Sequence, residues 1–260
     1  MKLTRSHKFF LVLAISLFSL LSCEKDDTLM YNNATMGNIV DGQFISDQGN
    51  IFNIVEQTCA GDVTSMTRAM VVCDVLNKTQ GGAANEYDVR LTQLGRVLAK
   101  NIVYHEDTDE DMQVQDPVQI EYAWMSGGYM NLFIIFPVKA GSTTSHLINL
   151  VHEGCMTDAE TKEEISGTYR FTLRHNSFGD KIEQPLTADY ILTGGYVSFP
   201  LNSYITEKEA DFAIEWVGHS TTTGGLAPET EHRTMSVKYT SDGFQHAPQS
   251  ITAKASAHVR

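Results

Sequence analysis

The chain has 260 residues, with 32 acidic against 19 basic side chains, a formal net charge of −13 and 42% hydrophobic residues. That length holds one large or two modest globular domains. The acidic surplus argues against unassisted binding to nucleic acid, whose affinity comes largely from neutralising phosphates, and 19 glycines against 6 prolines suit a turn-rich β chain.

Lys2, Arg5 and Lys8 precede an uncharged run from Phe9 to Leu21. A spanning helix needs about 20 apolar residues, so this shorter run has the proportions of a signal-peptide core. Leu20-Leu21-Ser22-Cys23 closes the run and resembles a lipobox. The resemblance implies cleavage after Ser22, with residues 1–22 as the signal peptide, and a lipid on the Cys23 thiol. Each buried methylene contributes about 0.8 kcal/mol, so several acyl chains together anchor firmly. Glu24-Lys25-Asp26-Asp27 is similar to the surface-export tag of one group of Gram-negative bacteria, in which Lys followed by two acids sends a lipoprotein to the outer leaflet. The expectation is a protein attached to the outer membrane through lipidated Cys23 and facing the cell surface.

Residues 23–35 are polar and Asn-rich and read as a flexible tether. From Met36 the pattern alternates with period two, which predicts an all-β unit over 36–104. Asn38–Ser46 reads as one strand, Ser46-Asp47-Gln48-Gly49 as a tight turn and Asn50–Thr58 as the return. A longer apolar run around Arg68-Ala69-Met70-Val71 follows, then Glu86–Leu94 and Arg96–Tyr104. Five short strands in this span suggest a small barrel. An exported chain meets an oxidising compartment, so Cys59 and Cys73, on strands read as neighbours, are the candidate disulfide. The reading favoured over it leaves Cys59, Cys73 and Cys155 as buried free thiols. Without a Cys-x-x-Cys pair, a thiolate metal site is not expected.

His105–Asp116 is an acidic linker. Its aspartates at 107, 109 and 111 have the spacing of a calcium loop, but Met112 stands where the turn needs Gly and Val118 where it needs a bidentate Glu. Residues 117–240 carry about seven further strands and read as an antiparallel β-sandwich. Within them Ser126-Gly127-Gly128 signals a hairpin, and Thr157–Ile165 is the one stretch that reads as a short helix. The paired glycines, Gly194-Gly195 among them, read as turns with positive φ. The tail, 241–260, is polar and unpatterned, and a loosely ordered end is expected.

Several stretches together resemble the NigD-like lipoprotein family. They are Asp41–Asn50 followed by Arg68-Ala69-Met70-Val71, Trp124–Leu132, His146-Leu147-Ile148-Asn149-Leu150, Leu173-Arg174-His175-Asn176 with Gly179-Asp180, and Val197–Leu201. The resemblance covers roughly residues 33–240. It implies an N-terminal OB-type domain and a C-terminal β-sandwich domain, in agreement with the strand reading, and brings no enzymatic mechanism. The family name comes from a bacteriocin-associated gene cluster, which implies a role in bacteriocin production or immunity.

Chemistry-bearing residues are weighed against simpler roles. His146 and His152 share a face of one strand with Glu153 beside them, but lack a third ligand at metal spacing, so no metal and no cofactor are expected. His175, Ser177 and Asp180 invite a hydrolase triad, yet no Gly-x-Ser-x-Gly elbow holds the serine. Trp124 and Trp216 fall within strands and read as core, leaving Tyr129 beside the glycine pair as the candidate ligand contact. The sequence thus points to a non-enzymatic envelope lipoprotein with a binding or assembly role and a protein or glycan partner at the cell surface. A bacteriocin-immunity or envelope-protection factor and a glycan-binding accessory protein are the alternatives.

Overall fold

The structure is a computed structural model and describes residues 30–182, 189–205, 208–222 and 225–240. The lipid site Cys23, the tag Glu24, Lys25, Asp26 and Asp27, and the tail 241–260 lie outside these residues. The first unit contains β1 (Met30–Val40), β2 (Gln43–Ser46), β3 (Ile51–Gln57), β4 (Arg68–Lys78) and β5 (Glu86–Ala99). β1–β2, β2–β3, β1–β4 and β4–β5 pair antiparallel, and a parallel β3–β5 ladder closes the ring. This is the OB arrangement. Alternate residues point inward, so Phe44, Phe52, Val71, Cys73, Val89 and Leu91 fill the barrel.

The strand count of five holds, but three boundaries move. The expected strand Asn38–Ser46 is split by a two-residue hairpin at Asp41-Gly42, with φ of 51° and 83°. Asp-Gly favours a turn with positive φ at both positions, and unbroken alternation on either side hid it. Conversely, β5 runs through Gly95 as one long strand. β1 also begins at Met30, opposite Asp74, inside the segment read as tether.

After β6 (Val103–Tyr104), the acidic linker makes a single 3-10 turn, His105–Asp107, and a one-turn helix α1 (Glu110–Gln113). Asp109 caps that helix by accepting the Met112 N–H at 2.8 Å, while Asp111 accepts from the Asn176 amide at 3.3 Å. Asp109 and Asp111 are thus engaged separately, one by its own helix and the other by Asn176. Thr157–Ile165 is not a helix: Thr157 and Glu164 form an antiparallel bridge around a turn in which Lys162 has φ of 61°.

The second unit comprises β7 (Gln119–Ser126), β8 (Tyr129–Lys139), β9 (Leu147–His152), β10 (Thr168–Asn176), β11 (Tyr190–Pro200), β12 (Glu209–Thr222) and β13 (Gly225–Thr240). One layer has the order β13-β12-β10-β9-β6 and faces β11-β8-β7 across a core of Leu132, Ile134, Phe136, Phe171, Phe199 and Phe212. Most pairs are antiparallel, with parallel ladders at β10–β12 and β6–β9. Gly194 and Gly195 lie within β11 rather than in a turn. A Cβ on Gly194 would sit 2.8 Å from the Phe133 ring, so the glycine makes room for an aromatic crossing the sheet.

The two units share a sheet. Tyr196–Ser198 of β11 pairs in parallel with Val97–Ala99 of β5, giving one eight-stranded order, β3-β2-β1-β4-β5-β11-β8-β7. Arg68, at the start of β4, seals this joint from within. Its Nη1 and Nη2 donate to the two carboxylate oxygens of Asp47 at 2.8 and 2.7 Å, Nη1 to Asn38 Oδ1 at 3.0 Å, Nη2 to Asn131 Oδ1 at 3.0 Å and Nε to Ser198 Oγ at 3.0 Å. All five N–H groups are therefore used, with partners from both units. Asp47 also accepts from Ser126 Oγ at 2.5 Å. The Gly127-Gly128 hairpin, with φ of 59° and 81°, lets it approach: a Cβ on Gly127 would collide with the Asp47 carboxylate.

Candidate functional site

A cleft of ≈ 500 Å³ opens where the linker leaves β6 and passes the end of β9, lined by Tyr104, His105, Glu106, His152, Glu153 and Gly154. The β6–β9 ladder sets Tyr104 opposite His152. The Tyr104 ring meets the imidazole edge-on at 5.4 Å and remains 44% exposed, forming one wall. Behind His152 stand Tyr204 at 5.2 Å and Phe171 at 5.5 Å. Burial pushes the His152 imidazole down, against the pull of Glu106, Glu153 and Glu164, so it is neutral at pH 7.

On the polar side, Glu153 receives Arg174 Nη2 at 2.9 Å on one oxygen and His105 Nδ1 at 2.8 Å on the other. Burial raises its carboxyl, but bonds from Arg174 and Thr172 and the charges of Arg174 and His105 together hold it below the ordinary range. Both oxygens of this ionised carboxylate are thus engaged by basic side chains of the fold. Exposed Glu106 supplies a second carboxylate on the rim. Aromatic wall, neutral imidazole and acidic rim suit the capture of a neutral or cationic group.

Apart from His152 and Glu153, the residues singled out from the sequence fall elsewhere. Cys59 and Cys73 are free thiols rather than a disulfide, as is Cys155. The strands read as their neighbours are not adjacent, because β5 lies between β3 and β4. Burial and the neighbouring Asp74 charge push the Cys73 thiol up to about 11, leaving it unreactive. Tyr129 is half-buried, with the Arg68 guanidinium 4.0 Å above its ring, so one aromatic face is already covered. Trp124 and Trp216 are core residues, 3% and 5% exposed.

His146 and His152 do not act together. His146 turns to His175, with Nδ1 to Nε2 at 2.9 Å, and to Asp180 at 3.5 Å. His175, Ser177 and Asp180 are brought into one buried cluster, but not as a triad. Ser177 Oγ donates to Asp116 Oδ2 at 2.6 Å, and its backbone N–H donates to the same oxygen at 3.0 Å. Sequence reasoning missed Asp116, which looked like the end of a solvated linker, and Arg68, whose only local signal was a charge opening an apolar run.

The fold defines an all-β protein in which an OB-type barrel and a β-sandwich share one sheet. Residues 101–224 match the family model described as the NigD-like C-terminal beta sandwich domain, which makes this part of the chain a NigD-like β-sandwich domain. A NigD-like immunity protein from Bacteroides caccae is similar over 80% of this chain and 96% of its own, at 16% identity and a TM-score of 0.55. A protein named as a candidate lipoprotein from Bacteroides fragilis covers 79% of this chain and 97% of its own, at 14% identity and a TM-score of 0.51. These likenesses establish the fold. No curated protein matches the chain.

Proposed function

We propose that this protein is a non-enzymatic, lipid-anchored module of the outer membrane that binds a partner at the Tyr104–Gly154 cleft. The observation that carries this reading is how the polar groups are used. Ser177 is committed to Asp116 and Glu153 to Arg174 and His105, while the Tyr104 face and the Glu106 carboxylate stand open. Seven residue steps separate Cys23 from the first residue of β1, no more than about 25 Å of extended chain. Lipidation at Cys23 would therefore hold the barrel close to the bilayer.

A photo-crosslinking residue at Tyr104 tests the binding role in intact cells. One discrete adduct is expected, absent when the same residue replaces Val55, exposed on the barrel. Equal adducts at both positions, or none at either, contradict the reading. The nature of the adduct sorts the partners. A secreted protein from a competing strain favours immunity, the second reading, which the Bacteroides caccae neighbour named an immunity protein brings forward. A polysaccharide adduct favours glycan binding.

A further inference from the structure

The buried pair His146 and His175 carries a proton count that can be read from its partners. His175 Nδ1 lies 3.0 Å from the Pro117 carbonyl and 3.2 Å from that of Asp116. Carbonyl oxygens only accept, so Nδ1 bears a hydrogen. Between His175 Nε2 and His146 Nδ1, at 2.9 Å, lies a second. On the far side His146 Nε2 faces Asp180 Oδ2 at 3.5 Å. A bare nitrogen there would set its lone pair directly against a carboxylate oxygen between two buried side chains, 0% and 5% exposed. That contact requires a third hydrogen, and two neutral imidazoles carry only two N–H groups.

Asp180 is held as the anion. Its Oδ1 accepts the Lys139 backbone N–H at 2.8 Å. Burial raises the carboxyl, but bonds from Ser142, Lys139 and His146 bring it below the ordinary range. The third hydrogen therefore belongs to the imidazoles. We propose that His146 and His175 share one stored proton, paired with Asp180, and that this proton is a pH-sensitive latch. It ties together the loop after β8, the start of β9, the loop after β10 and the Asp116-Pro117 end of the linker. The other charged groups around it are engaged: Lys181 pairs with Asp116 at 2.9 Å, and Lys139 Nζ reaches the Gly179 carbonyl at 3.4 Å. From β8, the Phe136 ring covers His146 at 4.6 Å and His175 at 5.3 Å. β12 pairs only with Thr168–Thr172 of β10, away from His175.

An unfolded histidine releases its proton near pH 6.5. The folded pair keeps its stored proton above that, so this contribution to stability is full below about pH 6.5. It is lost as pH rises, with the unfolding constant increasing up to about tenfold per pH unit until the cluster itself titrates. His175 works in the opposite sense. Burial and the His146 charge push it down to about 4, so between about 6.5 and 4 the unfolded chain takes up a proton that the fold refuses. Each limb falls away from a maximum near pH 6.5.

The direct test is two-bond 15N–1H correlation spectroscopy of the labelled full chain, which has nine histidines. At pH 8 one histidine should still show both ring nitrogens protonated. That signal should vanish in His146→Gln and in Asp180→Asn. If every histidine of the wild type shows a bare ring nitrogen at pH 7, the proposal is overturned without recourse to any variant. Survival of the doubly protonated signal in folded Asp180→Asn overturns it as well.

Discussion

Replacing Arg68 with alanine is expected to lower the unfolding free energy by about 3–5 kcal/mol, the range seen when one member of a buried ion pair is removed. The guanidinium is wholly enclosed and faces an Asp47 side chain that is itself only 4% exposed. Its loss strands that carboxylate and deprives Asn38, Asn131 and Ser198 of a donor at once. The cost is mainly the uncompensated charge, so Arg68→Ala combined with Asp47→Ala should lose less than the sum of the two single changes. Denaturant unfolding of the four proteins in the cycle measures this. An Arg68→Ala midpoint within about 1 kcal/mol of wild type would show that the barrel and sandwich are held by the shared β5–β11 ladder alone.

The second large effect concerns the anchor. Cys23→Ala should reduce incorporation of labelled palmitate to background, because it removes the thiol proposed to carry the diacylglyceryl group. Each acyl methylene contributes about 0.8 kcal/mol of membrane affinity, so losing the chains removes the basis of stable attachment. Undiminished palmitate labelling of Cys23→Ala would contradict the lipobox reading and place any lipid elsewhere. Cys59 and Cys155 would then be the thiols to examine, since Cys73 is buried and its thiolate disfavoured.

The strands were legible because one face of each is buried, and alternation survives wherever a layer has a wet side and a dry side. Boundaries failed where a glycine has two readings. Gly42 was a turn hidden in an alternating run, while Gly194 and Gly95 were strand residues, Gly194 having the look of a turn. The difference lies in what crosses the residue, Phe133 in the case of Gly194, and that is a tertiary fact.

The polar centres were illegible for a related reason. Arg68 finds Asp47 at a separation of 21 residues and Ser198 at 130, and His146 finds His175 at 29. No local pattern encodes such distances. The cleft was half visible: its residues are contiguous in two short stretches, Tyr104-His105-Glu106 and His152-Glu153-Gly154, but only the β6–β9 ladder makes them neighbours. His146 and His152, with Glu153 beside them, were weighed as metal ligands and set aside; Glu153 is tied to Arg174 and His105.

The proposed role requires this fold to be displayed from the outer membrane, where it can meet a partner outside the cell. Protease shaving of intact cells tests it most directly, comparing wild type with a variant carrying Glu24→Ala, Asp26→Ala and Asp27→Ala. Cleavage of the wild type and protection of the variant, both remaining lipidated, are the expected results. Protection of the wild type in intact cells, with cleavage only after the outer membrane is opened, would contradict it and turn the cleft toward the periplasm.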